Sequence, residues 1–134
     1  MQNLLVDSNI FLRVFVKTNL DQTSQALKYL KLAKNDKIKL AVLSETIPEI
    51  EYVLRKVYKI PKNEIVENIL TIVRAAYIGL EKRELWRDAI RIYSENNIDL
   101  IDAFLYVNKL DMNFKILSFD KDFVKLDKYA KQNL

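Results

Sequence analysis

The chain has 134 residues, half of them apolar, which suits one domain over residues 1–134; it has neither a run of 18 apolar residues nor a signal-peptide pattern, so a cytoplasmic protein without a membrane span is expected. Cysteine and histidine are absent and Gly79 is the only glycine, which excludes disulfides, thiol chemistry, a Ser-His-Asp triad, His-bound zinc and a glycine-rich phosphate loop, and leaves carboxylates, lysines, tyrosines, hydroxyls and a borrowed ion such as Mg²⁺ or Mn²⁺. The net charge of +4, from 22 basic and 18 acidic side chains, permits an anionic partner such as RNA or DNA without demanding one.

Residues 3–6 read as a short buried strand that stops on Asp7. From Ser8 to Val16, Ile10, Phe11, Val14 and Phe15 recur at helical spacing. Residues 22–35 read as a helix with Ala26, Leu27, Leu30 and Ala33 on one stripe, and "IKLAVL" (38–43) as a second strand. Ser44 is placed to cap the next helix, whose inner face is Ile47, Ile50, Val53, Leu54 and Val57. Pro48 is tolerated only near the first turn, which moves the start of that helix a residue or more beyond Ser44. "PKNEIVENILTIVRAAY" (61–77) is a helix opened by Pro61, and "YIGL" (77–80) a weak strand. Residues 82–97 form a helix with Leu85, Trp86, Ala89, Ile92 and Tyr93 inward, ended by Asn96-Asn97. Residues 99–111 form another, "KILSF" (115–119) a last strand, and an acidic turn, "DKD", leads into a short basic C-terminal segment.

Strands alternating with helices imply right-handed crossovers and a parallel sheet covered on both faces. Ligands in such sheets bind at the carboxyl ends of the strands. Asp7 and Asp120 follow strands there, Glu49 lies near the start of the helix after the second strand, and Asp102 lies in the first turn of the helix before the last strand. Taken singly, each has a plainer role: Asp7 as a cap, Asp102 as a complement to a helix dipole, Glu49 as a solvated helix residue, and "FDKDF" as an Asx turn. Taken together, four carboxylates in one cleft repel one another unless a cation enters, and they suit one octahedral Mg²⁺ or a pair of ions.

Five segments, in order, carry a resemblance to the PIN domain and, within it, to the VapC-type toxins of prokaryotic toxin–antitoxin pairs: "LLVDSNIFLR", "PEIEYVLRKVYKI", "PKNEIVENI", "DLIDAFLYVNKL" and "ILSFDKDFVKL". The resemblance spans essentially the whole chain. It implies a three-layer α/β/α domain with a parallel central sheet. It also implies an acidic quartet of catalytic metal ligands at Asp7, Glu49, Asp102 and Asp120. Asn9 matches a position that supports Asp7 by hydrogen bonding, Ser118 a hydroxyl beside the last acid, and Asp99 and Asp122 extra acids of variable role. Glu45 rivals Glu49, which fits the family register better because an apolar-aromatic-basic run follows it.

The resemblance further implies a metal-dependent endoribonuclease that leaves 5′-phosphate and 3′-hydroxyl ends, with Mg²⁺ or Mn²⁺ as cofactor. Its partners would be an RNA substrate, a small antitoxin and a second copy in a homodimer. The rivals are a PIN-type RNA-processing nuclease without an antitoxin and a PIN-like module that binds RNA or protein without cutting. A phosphoacceptor receiver domain also places aspartates at strand ends, but a Glu and an Asp on helices fit it poorly.

Overall fold

The computed structural model describes residues 1–134. In chain order it contains β1 (Gln2–Leu5), α1 (Ser8–Phe15), α2 (Leu20–Lys34), β2 (Ile38–Val42), α3 (Thr46–Lys56), α4 (Lys62–Arg74), β3 (Ile78–Leu80), α5 (Arg83–Glu95), α6 (Leu100–Met112) and α7 (Asp122–Asn133). Parallel strands joined by helices give the α/β class that the sequence leads one to expect. No helix is long and apolar enough to cross a membrane. The chain forms two compact units, Met1–Arg83 and Glu84–Leu134.

The first unit holds the whole sheet, in the order β1-β2-β3, with Leu4 opposite Leu40 and Leu40 opposite Ile78. The central strand alternates as a half-buried strand should: Ile38, Leu40 and Val42 are buried, Lys39 and Ala41 exposed. β1 is an edge strand rather than the buried strand expected, and Leu5 is 66% exposed; burial begins with Val6 just beyond it. α1 packs on α2 and α3, and α3 on α4. α2 starts two residues earlier than its apolar stripe suggests, because the Asn19 side chain caps it by accepting the Gln22 N–H at 3.1 Å.

α3 begins at Thr46, which puts Pro48 in the first turn, where its missing N–H costs nothing. Its Ile47, Ile50 and Leu54 are fully buried, each contributing about 1.5–3 kcal/mol of transfer free energy. Val57, expected on that face, is exposed at the helix end. On the same helix Glu51 is buried and paired with Arg55 at 2.8 Å, one helical turn on. Burial draws the Lys62 ammonium below its usual pKa, and the Glu51 charge works against that shift. The Arg83 guanidinium donates to the carbonyls of Ile72, Val73 and Ile78, tying the end of α4 to the start of β3.

The second unit is helical. Trp86 of α5 stacks on Phe104 of α6 at 3.8 Å between ring centres. The Tyr106 hydroxyl of α6 donates to Asp127 of α7 at 2.8 Å. α6 ends on Asn113 in the left-handed conformation, which an asparagine adopts at little cost.

Two expectations are corrected here. Residues 115–119 form no strand: a strand exists only by pairing its backbone groups with another, and no pairing is made by this segment. Residues 122–133, expected as a short basic tail, are a helix of 12 residues held by the buried Phe123 and Leu126. Its two apolar anchors are sparse among lysines, so hydrophobic periodicity gives little sign of it.

The lone glycine has a packing reason. A Cβ on Gly79 would stand 2.9 Å from the carbonyl oxygen of Leu40 on the neighbouring strand. Gly79→Ala is therefore expected to push β3 from β2 and to lower stability by about 1–3 kcal/mol, read as a lower midpoint in thermal or urea unfolding. An unchanged midpoint would contradict this close approach.

Candidate functional site

The two units each carry a group of acids. In the first unit, Asp7 stands at the junction of β1 and α1, in the N-cap position of the helix. Its backbone is extended there (φ −80°, ψ 154°), yet its side chain makes no capping hydrogen bond and is exposed. The plain role of a cap is thus not taken up. The next residue, Ser8, is buried, and its hydroxyl donates to Oε1 of Glu49 on α3 at 2.9 Å. This bond joins the start of α1 to the first turn of α3; both glutamates are exposed, and it engages Glu49 while Glu45 makes no such bond.

Ser8 is the residue the sequence did not single out. Asn9, expected to support Asp7, is exposed and makes no side-chain hydrogen bond. The only available sign of Ser8 was its place on the inward side of a helix whose buried positions include Phe11 and Leu12.

In the second unit, carboxylate oxygens of Asp102, Asp120 and Asp122 all lie within 4.8 Å of one another. Asp102 comes from the first turn of α6, whose N-cap is Asp99. Asp122 opens α7, and Asp120 precedes it. The loop that delivers them is set by short local bonds. The Asp120 N–H donates to Ser118 Oγ at 3.0 Å, and the Asp122 N–H donates to Asp120 Oδ1 at 2.9 Å. The second bond is the Asx turn foreseen for "FDKDF"; it shapes the loop and still leaves the other oxygen of Asp120 available. Asp122, foreseen as an accessory acid, belongs to this cluster with Asp120.

The electrostatics of the cluster are unfavourable by themselves. Burial, and then the charges of Asp99, Asp120 and Asp122, raise the Asp102 pKa above the ordinary carboxylate value. No lysine or arginine forms an ion pair with Asp7, Glu49, Asp102 or Asp120, although Lys125 lies 3.7 Å from Asp122. The donor set is all oxygen, as Mg²⁺ or Mn²⁺ requires. Ligands on one octahedral ion lie about 3–4.2 Å apart, so small side-chain rotations would bring the three carboxylates onto a single cation. The residues present fit a divalent ion.

A family model described as "PIN domain" matches residues 4–129. The chain is 33% identical over 89 residues to a "VapC ribonuclease" of Aquifex aeolicus (strain VF5), a match covering 66% of each protein. The chain belongs to the PIN domain family, and this likeness puts it with the VapC-type members.

The raised pKa of Asp102 has a consequence in metal-free solution. A carboxyl whose folded pKa exceeds its unfolded value contributes stability below the unfolded value, and that contribution is lost as pH rises through the folded one. Asn mimics the protonated acid at every pH. In EDTA, Asp102→Asn is therefore expected to unfold at a higher temperature than wild type at neutral pH. The gap should narrow as pH falls toward the ordinary value of 3.8. A gap that is constant with pH, or that widens in acid, would contradict the raised pKa.

Proposed function

We propose that the chain is a metal-dependent endoribonuclease and the toxin of a toxin–antitoxin pair, with Asp7, Glu49, Asp102 and Asp120 as its catalytic metal ligands. The observation that carries this reading is the cluster of Asp102, Asp120 and Asp122, three carboxylates gathered within 4.8 Å without an arginine or lysine to neutralise Asp102 or Asp120. Membership of the PIN domain family supports it, as does the ribonuclease name borne by the Aquifex relative. Because the family match runs from residue 4 to 129, we read the two units as parts of one domain over residues 1–134 whose acids act together. Small antitoxin and homodimer partners belong to the same reading.

Asp102 and Asp120 would hold the ion with Asp122 beside them, and Asp7 and Glu49 would complete the set. Bound Mg²⁺ or Mn²⁺ supplies a more acidic water and charge neutralisation at the phosphodiester. The protein's own contribution is orientation. Ser8 holds one oxygen of Glu49 and leaves the other free. Ser118 and the Asp122 amide hold Asp120, and Asp99 adds negative charge that strengthens cation binding at Asp102. With no histidine or cysteine in the chain, a water can be activated only by oxygen or amine groups or by a metal ion.

The test is cleavage of a total RNA pool by the purified chain, with the cut ends mapped. Wild type should cut in Mg²⁺ or Mn²⁺, leave 5′-phosphate ends and stop in EDTA. Asp102→Asn and Asp120→Asn preserve side-chain size and should lower the rate by orders of magnitude, each tenfold being about 1.4 kcal/mol of barrier. Growth arrest on expression of wild type, absent for these variants, is expected of a toxin. Cleavage without arrest would favour an RNA-processing nuclease. Binding of RNA with no cleavage in either metal would leave the non-cutting module. EDTA-resistant cleavage would overturn the metal reading.

Metal binding also has a readout independent of activity. A divalent ion at a hundredfold excess over Kd should stabilise the wild type by about 2.7 kcal/mol, and Asp120→Asn should lose much of that gain. Equal stabilisation of both proteins would count against a site built on Asp120.

A further inference from the structure

The helix α7 carries a feature that the acidic site does not use. Lys121, at its N-cap, is followed by Lys125, Lys128 and Lys131, and all four are exposed. At 3.6 residues per turn these positions fall within an arc of about 120°, along a rise of about 15 Å. The two buried residues of the helix, Phe123 and Leu126, fall on the opposite side of the cylinder. The lysines therefore form one continuous basic edge facing away from the core of the second unit.

The nearby acids offset this edge only in part, Asp127 acting on Lys131 at its far end. Asp127 is already engaged: it accepts from the Tyr106 hydroxyl at 2.8 Å and from Lys109 at 3.3 Å. Asp122 approaches Lys125 at 3.7 Å, but the Lys125 side chain is 78% exposed, and such a pair contributes little in water. The stripe also has a direction. It starts one residue after Asp120, at the end of α7 where the three acids gather. A cleft of about 420 Å³ opens at that same end, lined among others by Lys109, Lys115, Ser118 and Asp120. That is within the size range of small-ligand sites, so it has room for a nucleotide.

We propose that the Lys121–Lys125–Lys128–Lys131 edge of α7 binds the phosphate backbone of single-stranded RNA and leads it through this cleft to the acids. Successive ammonium groups sit about 4.5–6 Å apart along the axis. A flexible single strand can match that spacing phosphate by phosphate. The contacts are to backbone phosphates, so the edge confers affinity and direction without base preference. The inference rests on the ribonuclease reading for the identity of the polyanion, but its test does not require cleavage.

Binding of a labelled single-stranded RNA, too short to fold on itself, is measured in EDTA over a range of NaCl concentrations. Three full-length proteins are compared: wild type, Lys125→Ala/Lys128→Ala, and Lys28→Ala/Lys31→Ala. The last removes the same charge from exposed positions on α2. Each phosphate contact in a single strand contributes about 0.7 to the slope of log affinity against log salt. The α7 pair should therefore shallow the slope by about 1.4, so that wild type loses about sevenfold more affinity than this variant between 50 and 200 mM salt. The α2 pair should keep the wild-type slope.

An unchanged slope in the α7 variant, an equal change in both variants, or no RNA binding by wild type would overturn the proposal. So would binding to phosphatidylserine vesicles that depends on the α7 pair while RNA binding does not, since the partner would then be a membrane surface. Failure of the two readings is distinguishable. A wild type that cuts RNA with a slope indifferent to α7 loses the stripe and keeps the nuclease. One that binds through α7 and cuts in neither metal keeps the stripe and loses the nuclease.

Discussion

Repulsion between like charges is the constraint on which the second unit turns. Asp102 is half-buried with Asp99, Asp120 and Asp122 around it, and its pKa rises in consequence. A fold selected for stability alone would have no reason to gather these groups. The loop nevertheless spends two local hydrogen bonds, through Ser118 and Asp120, on holding the carboxylates in place. Repulsion of this kind is relieved wherever a cation neutralises the carboxylates, so the same arrangement that costs stability alone is suited to a cation.

Several acids elsewhere in the chain have partners. Glu51 has Arg55, Glu84 has Arg87, Asp127 has Lys109 and the Tyr106 hydroxyl, and Glu95 is bonded by Tyr129. Glu51 is the instructive case, being the most buried acid of the molecule and the one with the best cationic partner. With 22 basic side chains available, the lack of one beside Asp7, Glu49, Asp102 or Asp120 is not a shortage of cations.

Much of the fold was legible because helix and strand periodicities are strong where one face is buried. The alternation of "IKLAV" and the Ile47-Ile50-Leu54 stripe are set by burial, and both emerged as read. Pro48 and Pro61 marked helix starts through their fixed φ and missing N–H. Residues 115–119 and α7 were misread for opposite reasons. "KILSF" has the composition of a strand, but strand formation depends on a partner that local sequence does not specify. α7 has only Phe123 and Leu126 as anchors, so its polar surface concealed its period. Asp7, Glu49 and Asp102 stand where their places after a strand and in first helical turns put them, Asp120 follows no strand, and the local geometry of all four was not legible. Nothing in the spelling of "VDSN" tells which of Ser8 and Asn9 turns inward; that follows from the angle at which α1 leaves β1.

What holds the acids is as informative as what is missing beside them. Glu49 is held by the hydroxyl of Ser8 and the Asp120 carboxylate by the Asp122 amide, while the Ser118 oxygen accepts the Asp120 backbone N–H. A lysine or arginine could fix a carboxylate more strongly, but it would also cancel the negative charge. A hydroxyl or amide orients an oxygen by a bond that is modest in net terms, about 0.5–1.5 kcal/mol, and leaves the full negative charge in place. The Ser8 hydroxyl at Glu49 and the Asp122 amide at Asp120 thus each hold a carboxylate oxygen in place while leaving its negative charge intact.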